Sequence, residues 1–347
     1  LDLTISDDHR HIAEAVRQML TANTAEKAKF DGGTAPRADR LAVMQALLDF
    51  GLGSMELRDS HDDQLAAALL IREVGAAATA VPVVSAATAV AARVPGLLHS
   101  VYASALPPLL NHADLEIQMT AIDEKGRLYT VETTAERPGR SRPLATYTAR
   151  VQLVVREDEL DPLLWSFSVV MSAFLALGSI STTLELAVQH VTERVQFGQH
   201  LSAFQGIRNR LADIVILQNG LQELANYTLW TLTAQPDSCR VDALLLRYHQ
   251  LSVGRQISLL VHQLHGAMGF CYEYPLLQHL LGSQYERQIP LNEPQCMAEL
   301  VGRFREIKTH YEDIAPAWPL DRADRVPDLG PASQRDDQFA RAERRLV

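Results

Sequence analysis

The sequence predicts a mainly α-helical protein with one small β segment. Apolar residues recur at helical spacing up to about residue 110, alternate with a period of two between about 113 and 157, and return to long helical stripes from 163 to about 312. The implied architecture is a helical amino-terminal domain (1–112), a reduced β domain (113–160), a carboxy-terminal four-helix bundle (163–312) and a charged tail (313–347).

Each element has a local reason. Ser6 can cap a first helix whose apolar stripe is Ile12, Val16, Met19 and Leu20. A second stripe, Leu41, Met44, Leu47 and Leu48, stops at Gly51, and a third, Leu69, Leu70 and Val74, stops at Gly75. The alternation of Leu115, Ile117 and Met119, a turn at Lys125-Gly126, and the alternation of Val151, Leu153 and Val155 mark strands. Two prolines and a glycine in Glu136 to Pro143 break any ladder there and predict a loop. The bundle helices run from 163 through Arg194, from Phe204 to about Leu232, from about Asp242 to Leu264 and from about Met297 to Tyr311. The run Leu163 to Ile180 is long enough to suggest a membrane span, but it carries four serines and continues into an amphipathic stretch, so it predicts a buried bundle helix. After Pro316 the tail is charged, proline-interrupted and expected to be poorly ordered.

Composition narrows the function. At 47% apolar residues and a net charge of −10, the chain reads as globular and is a poor match for nucleic acid or anionic membranes, which select basic patches. Cys239, Cys271 and Cys296 are too few and scattered for a disulfide framework, and none has metal-ligand spacing, so a reducing cytoplasm is the expected compartment.

Two segments carry chemistry. In Glu193 to Ile214 (ERVQFGQHLSAFQGIRNRLADI), Arg194 and Gln196 stand beside Phe197-Gly198 at a helix end, where a guanidinium, an amide and a closely approaching backbone could hold a pyrophosphate. In Gln263 to Pro275 (QLHGAMGFCYEYP), Gln263 and the turn Gly266, Ala267, Met268, Gly269 offer N–H groups to the same anion. Alone, either segment could be an ordinary helix terminus. Together, in this order and on these helix ends, they resemble the signatures of the acyl-CoA dehydrogenase family over residues 1 to 310. The resemblance implies FAD as cofactor. It also implies that Arg194, Gln196, Phe197, Gly198, Gln263, Gly266, Ala267 and Gly269, with Phe204 and Gln205 as neighbours, reach the FAD of an adjoining chain. His265 reads as packing, and Arg208 and Arg210 as a solvated face.

Other family features are missing. Members remove a proton next to a thioester carbonyl with a carboxylate while the flavin takes a hydride, and many carry that base in an E-G-T loop after the Y-P. Following Tyr274-Pro275, this chain has QIPLNEP, with Ile289 or Pro290 at the base position and Leu291-Asn292 in place of Gly-Thr. Relatives with the base between the second and third bundle helices would place it near Ala234 or Gln235; Asp237 and Asp242 there look like helix N-caps, and Glu286 and Glu293 flank the degenerate loop. The β segment also lacks the T-E-P-x-A-G-S-D-like and W-[IV]-[ST] segments that cup the flavin ring. No catalytic residue is therefore assigned. The pattern resembles a non-catalytic subunit of the α2β2 acyl-CoA dehydrogenases associated with actinobacterial steroid side-chain degradation, in which a homologous catalytic subunit is the partner and an acyl-CoA the substrate. Two other readings stay open: a self-sufficient homo-oligomeric dehydrogenase using Asp237 or a loop glutamate, and a non-catalytic scaffold with this fold. The family's DNA-associated branch is disfavoured by the acidic balance.

Overall fold

The structure is a computed structural model. It describes residues 6–25, 37–78, 81–101, 109–110, 117–133, 149–236, 239–271, 274–277, 279–280 and 290–314. By internal contact the chain divides into a unit Leu1–Leu300 and a unit Val301–Val347. The second is described only as helix, to Ile314; the remaining tail and the Glu136 to Pro143 loop lie outside the described residues.

The first unit opens with four helices, α1 (Asp7–Ala25), α2 (Arg37–Asp49), α3 (His61–Ala76) and α4 (Val83–Ala92). Ser6 caps α1 as expected, its Oγ accepting from His9 N at 3.2 Å, and Ser60 does the same for α3 through Asp63 N at 3.1 Å. Gly75 does not stop α3. It lies inside the helix, where a Cβ would stand 2.0 Å from the Leu175 carbonyl oxygen of α5, and Gly178 of α5 reciprocates against Arg72 O at 1.8 Å. Glycine at both points lets the two backbones touch.

The helix α4 went unpredicted because its alanine and valine run has no polar face and so no period. Arg93 ends it in a left-handed conformation (φ 56°). The strand β1 (Leu97–Ser100) also lies inside the stretch expected to be helical, as does the two-residue β2 (Leu109–Leu110). With β3 (Met119–Ile122), β4 (Arg127–Thr133) and β5 (Ala149–Glu159) they form one sheet in the order β1-β3-β4-β5-β2, parallel between β1 and β3 and antiparallel elsewhere. Leu115 lies outside the described residues, and β3 is buried on both faces rather than alternating. At the predicted Lys125-Gly126 turn, the buried Asp123 carboxylate accepts from Lys125 N, Arg127 N, Arg127 Nε and Tyr129 Oη. Burial alone would raise its pKa; these four donors outweigh that and lower it. Val151, Leu153 and Val155 lie on β5, as their alternation predicts, and Val155 faces solvent. It is 63% exposed and its neighbour Val154, on the other face of the strand, 41%.

The second half is built on α5 (Leu163–Glu193), α6 (Gln205–Ala234), α7 (Cys239–His265) and α8 (Glu293–Ile314). Helix α5 is long and apolar enough to cross a membrane, yet most of its apolar stretch is buried against α3, α6 and α7. Its start is tied to the sheet by Trp165, whose Nε1 donates to Val101 O at 3.1 Å. Leu291, Cys296 and Leu300 pack on Trp165, Val169, Ala243 and Leu244.

Candidate functional site

Helix α5 ends at Arg194, which turns to an extended backbone and donates its N–H to His190 O at 3.0 Å. A two-residue hairpin follows, with β6 (Val195–Gln196) pairing β7 (Gln199–His200) around Phe197 and Gly198. Both turn residues have positive φ, 54° and 78°. Such two-residue turns suit glycine or asparagine, and a phenylalanine there is held against its steric preference. Its ring is 89% exposed and meets Phe204, the residue before α6, edge to face at 6.2 Å. Gln205 opens α6, exposed.

Helix α7 ends at His265, and Gly266 (φ 58°) starts the 3-10 turn Gly266–Phe270. Within it Gly266 and Ala267 are exposed and Gly269 is buried. Two histidines bring the turn and the hairpin together. His190, four residues before Arg194, stacks on His265 with ring centroids 4.8 Å apart, and Tyr274 packs on both rings. His265 is buried and donates Nδ1–H to Val261 O at 2.8 Å. Burial lowers the pKa of each histidine, so the stack is uncharged at neutral pH. His265 is buried and bonded to its own helix, in keeping with a packing role; His190 and Tyr274 join it without a sequence motif to mark them, an imidazole one turn before the arginine being the available signal.

At the same two helix ends, Arg194, Gln196 and Gln263 are all exposed. Among the described residues, none of the three side chains makes a hydrogen bond or ion pair. A guanidinium, two amides and two left-handed backbone turns lie at one end of the α5–α7 pair, with the exposed Glu193 carboxylate beside them accepting from Gln189 Nε2 at 2.9 Å; the donors suit a phosphate-bearing ligand.

Residues 167–289 match the family model described as acyl-CoA dehydrogenase, C-terminal domain. The chain superposes on the ChsE4–ChsE5 complex from Mycobacterium tuberculosis with a TM-score of 0.63 and 15% identity, covering 89% of this chain and 99% of that one. Against butyryl-CoA dehydrogenase from Megasphaera elsdenii the TM-score is 0.63 at 15% identity, with 88% and 100% covered. The fold is that of the acyl-CoA dehydrogenases. In sequence the chain is 33% identical over 107 residues to the acyl-CoA dehydrogenase FadE28 of Mycobacterium tuberculosis, 31% of each chain. That match spans about a third of the relative's length.

Of the positions where the resemblance puts the base, Ile289 lies outside the described residues, and Pro290, Ala234 and Gln235 carry no carboxylate. Pro290 and Leu291 are buried, and Arg247 Nε donates to Leu291 O at 3.2 Å. Asn292 caps α8: its Oδ1 accepts from Gln295 N and its N–H donates to Gln295 Oε1, both at 3.0 Å. Glu293 begins α8 and approaches Arg255 at 3.8 Å. Asp237 and Glu286 lie outside the described residues. Asp242 is not an N-cap, since α7 already starts at Cys239; burial raises its pKa, opposed by a hydrogen bond from the Thr231 hydroxyl.

Proposed function

We propose that this chain is one subunit of a heteromeric, FAD-dependent acyl-CoA dehydrogenase, that it completes the flavin site of a homologous partner, and that the partner supplies the base. The observation that carries the reading is the set of exposed, unengaged groups Arg194, Gln196 and Gln263 beside the left-handed Phe197-Gly198 turn. These would hold the pyrophosphate of FAD, with Phe204, Gln205, Gly266, Ala267 and Gly269 as neighbours. FAD, when bound, accepts the hydride released in α,β-dehydrogenation of the thioester. Two structural neighbours are complexes of two named chains, ChsE4–ChsE5 and the Tcur3481–Tcur3483 steroid dehydrogenase, which favours a steroid side-chain CoA as the substrate class. A carboxylate within reach of the α-proton is required, and the base position here holds Ile289 or Pro290, with Ala234 or Gln235 at the alternative position between the second and third bundle helices.

Co-expression with a homologous dehydrogenase that retains an E-G-T loop tests this. The complex is expected to carry one FAD per pair of unlike chains and to oxidise an acyl-CoA, while this chain alone is colourless and silent. Arg194→Ala removes a charge-assisted contact of about 1.5–3 kcal/mol and lowers flavin occupancy of the complex. Asp242→Asn and Glu293→Gln leave its activity in place, whereas losing a true base costs about 10²- to 10⁴-fold. A yellow isolated chain that bleaches with acyl-CoA overturns the reading.

A further inference from the structure

Three imidazoles meet where the last turn of α5 reaches the last turn of α7. His190 stacks on His265 with ring planes 27° apart, and Tyr274 packs on both rings. His262, one turn before His265, lies flat on Phe270 with centroids 4.6 Å apart. The cluster has little room for an added proton. His265 already donates Nδ1–H to Val261 O, so a second proton goes to Nε2, which is buried without a hydrogen bond and has only a weak attraction to Leu186 O. His262 Nδ1 is buried and unbonded in the same way.

The charged and titratable groups that act on His190 are His265 of α7 and, from its own helix end, Arg194 and Glu193. Burial opposes its protonation most, then His265 and Arg194; Glu193 and the carboxyl end of α5 favour it, and the balance lowers the pKa. After burial, His265 also disfavours a charge on His262, and Tyr274 stays neutral with its pKa raised by burial and Glu193. A proton on one ring thus disfavours the next. What the stack anchors is backbone. Arg194 N–H donates to His190 O at 3.0 Å and Leu201 N–H to Arg194 O at 2.9 Å, so the base of the β6–β7 hairpin hangs on the residue that stacks.

We propose that the His190–His265 stack, coupled to His262, is an acid-sensitive latch: uncharged, it fixes the start of the β6–β7 hairpin against the end of α7, and protonated, it lets that junction fray without unfolding the bundle. Fraying returns the rings to water, where each takes up a proton near pH 6.5. The folded pKa values lie below that, so closure is fully favoured above about pH 6.5 and weakens as pH falls toward them. The latch governs how firmly Arg194 and Gln196 are presented, whatever ligand they meet.

Amide hydrogen exchange on the full chain, from about pH 7.5 to about pH 5, tests this without cofactor or partner. The Arg194 and Leu201 amides are expected to be less protected than Leu177, in the middle of α5, at every pH. Their protection, corrected for intrinsic exchange, falls roughly tenfold per pH unit for each ring that gains a proton on opening. His190→Phe keeps a stacking ring that cannot titrate and makes that slope shallower, and adding His265→Phe flattens it further. His190→Ala lowers protection even at neutral pH. Should the double variant fail to fold, His190→Phe decides alone, since His190 is only half-buried. A pH-independent hairpin in the unmodified chain, or an unchanged slope in His190→Phe, sinks the proposal. So does protection equal to that of Leu177 throughout, which would make the opening global.

Discussion

Phe197 holds a conformation that its own chain does not reward. A left-handed phenylalanine costs about 1–2 kcal/mol relative to glycine, and a ring 89% exposed recovers little of it through one edge contact with Phe204. Strain of this kind persists where another surface uses the residue. Phe197→Gly is therefore expected to leave the melting temperature of the isolated chain unchanged or higher and to lower flavin occupancy of the complex. A clear drop in melting temperature would instead show that the ring serves this chain's own fold. Arg194, Gln196 and Gln263 were legible in sequence because their spacing is a motif. His190 was not, because its stacking on His265 depends on which rings two distant helix ends bring together.

At the scale of elements, the crossing of α3 and α5 is set by Gly75 and Gly178 rather than by interdigitating side chains. A methyl at Gly178 would meet Arg72 O at 1.8 Å and Ala76 N at 2.7 Å, both backbone atoms that cannot rotate away. Gly178→Ala should thus cost about 3 kcal/mol or more and lower the melting temperature by roughly 5–10 °C. Gly220→Ala, whose nearest neighbour is His249 Nε2 at 3.8 Å, is the control and should be neutral or stabilising. Unequal behaviour in the opposite sense would disprove the backbone contact. The long bundle helices could be read from their periodic stripes, and α1 from Ser6 and its stripe. Helix α4 and strand β1 could not, since the small and apolar run of α4, interrupted only by Ser85 and Thr88, shows no clear helical stripe, and both faces of the sheet are covered at β1. Gly75 was misread as a stop because glycine at a helix end and glycine at a helix crossing look alike in sequence.

Across the whole molecule, buried histidines couple both halves to pH. Burial lowers the pKa of His99, on β1, and of His279, in the bundle, from 6.5 to about 4, and those of His190, His249, His262 and His265 are also lowered. In the unfolded chain each returns to about 6.5 and binds a proton that the fold excludes. The contribution to stability is thus fully present above about pH 6.5 and is lost as pH falls toward 4. For His99 and His279 the loss is roughly 2–3 kcal/mol each between pH 7 and pH 4. Denaturant midpoints measured across that range should fall steadily, and His99→Gln should flatten the slope. A flat profile for the unmodified chain would show that these rings are solvated.

Leu291 and Asn292 give the proposed division of labour a direction in evolution. The segment that the resemblance assigns to the base now fills the Trp165 cluster and starts a helix. Pro290, one of the two positions that the resemblance gives to the base, is buried at the head of that segment, and restoring Gly-Thr at 291 and 292 would remove a side chain from the cluster and give up the asparagine's reciprocal pairing with Gln295. Restoring the loop across Pro290 to Asn292 removes packing and a helix cap before it returns any activity, so dependence on a second gene product behaves as a ratchet that selection tightens more easily than it releases.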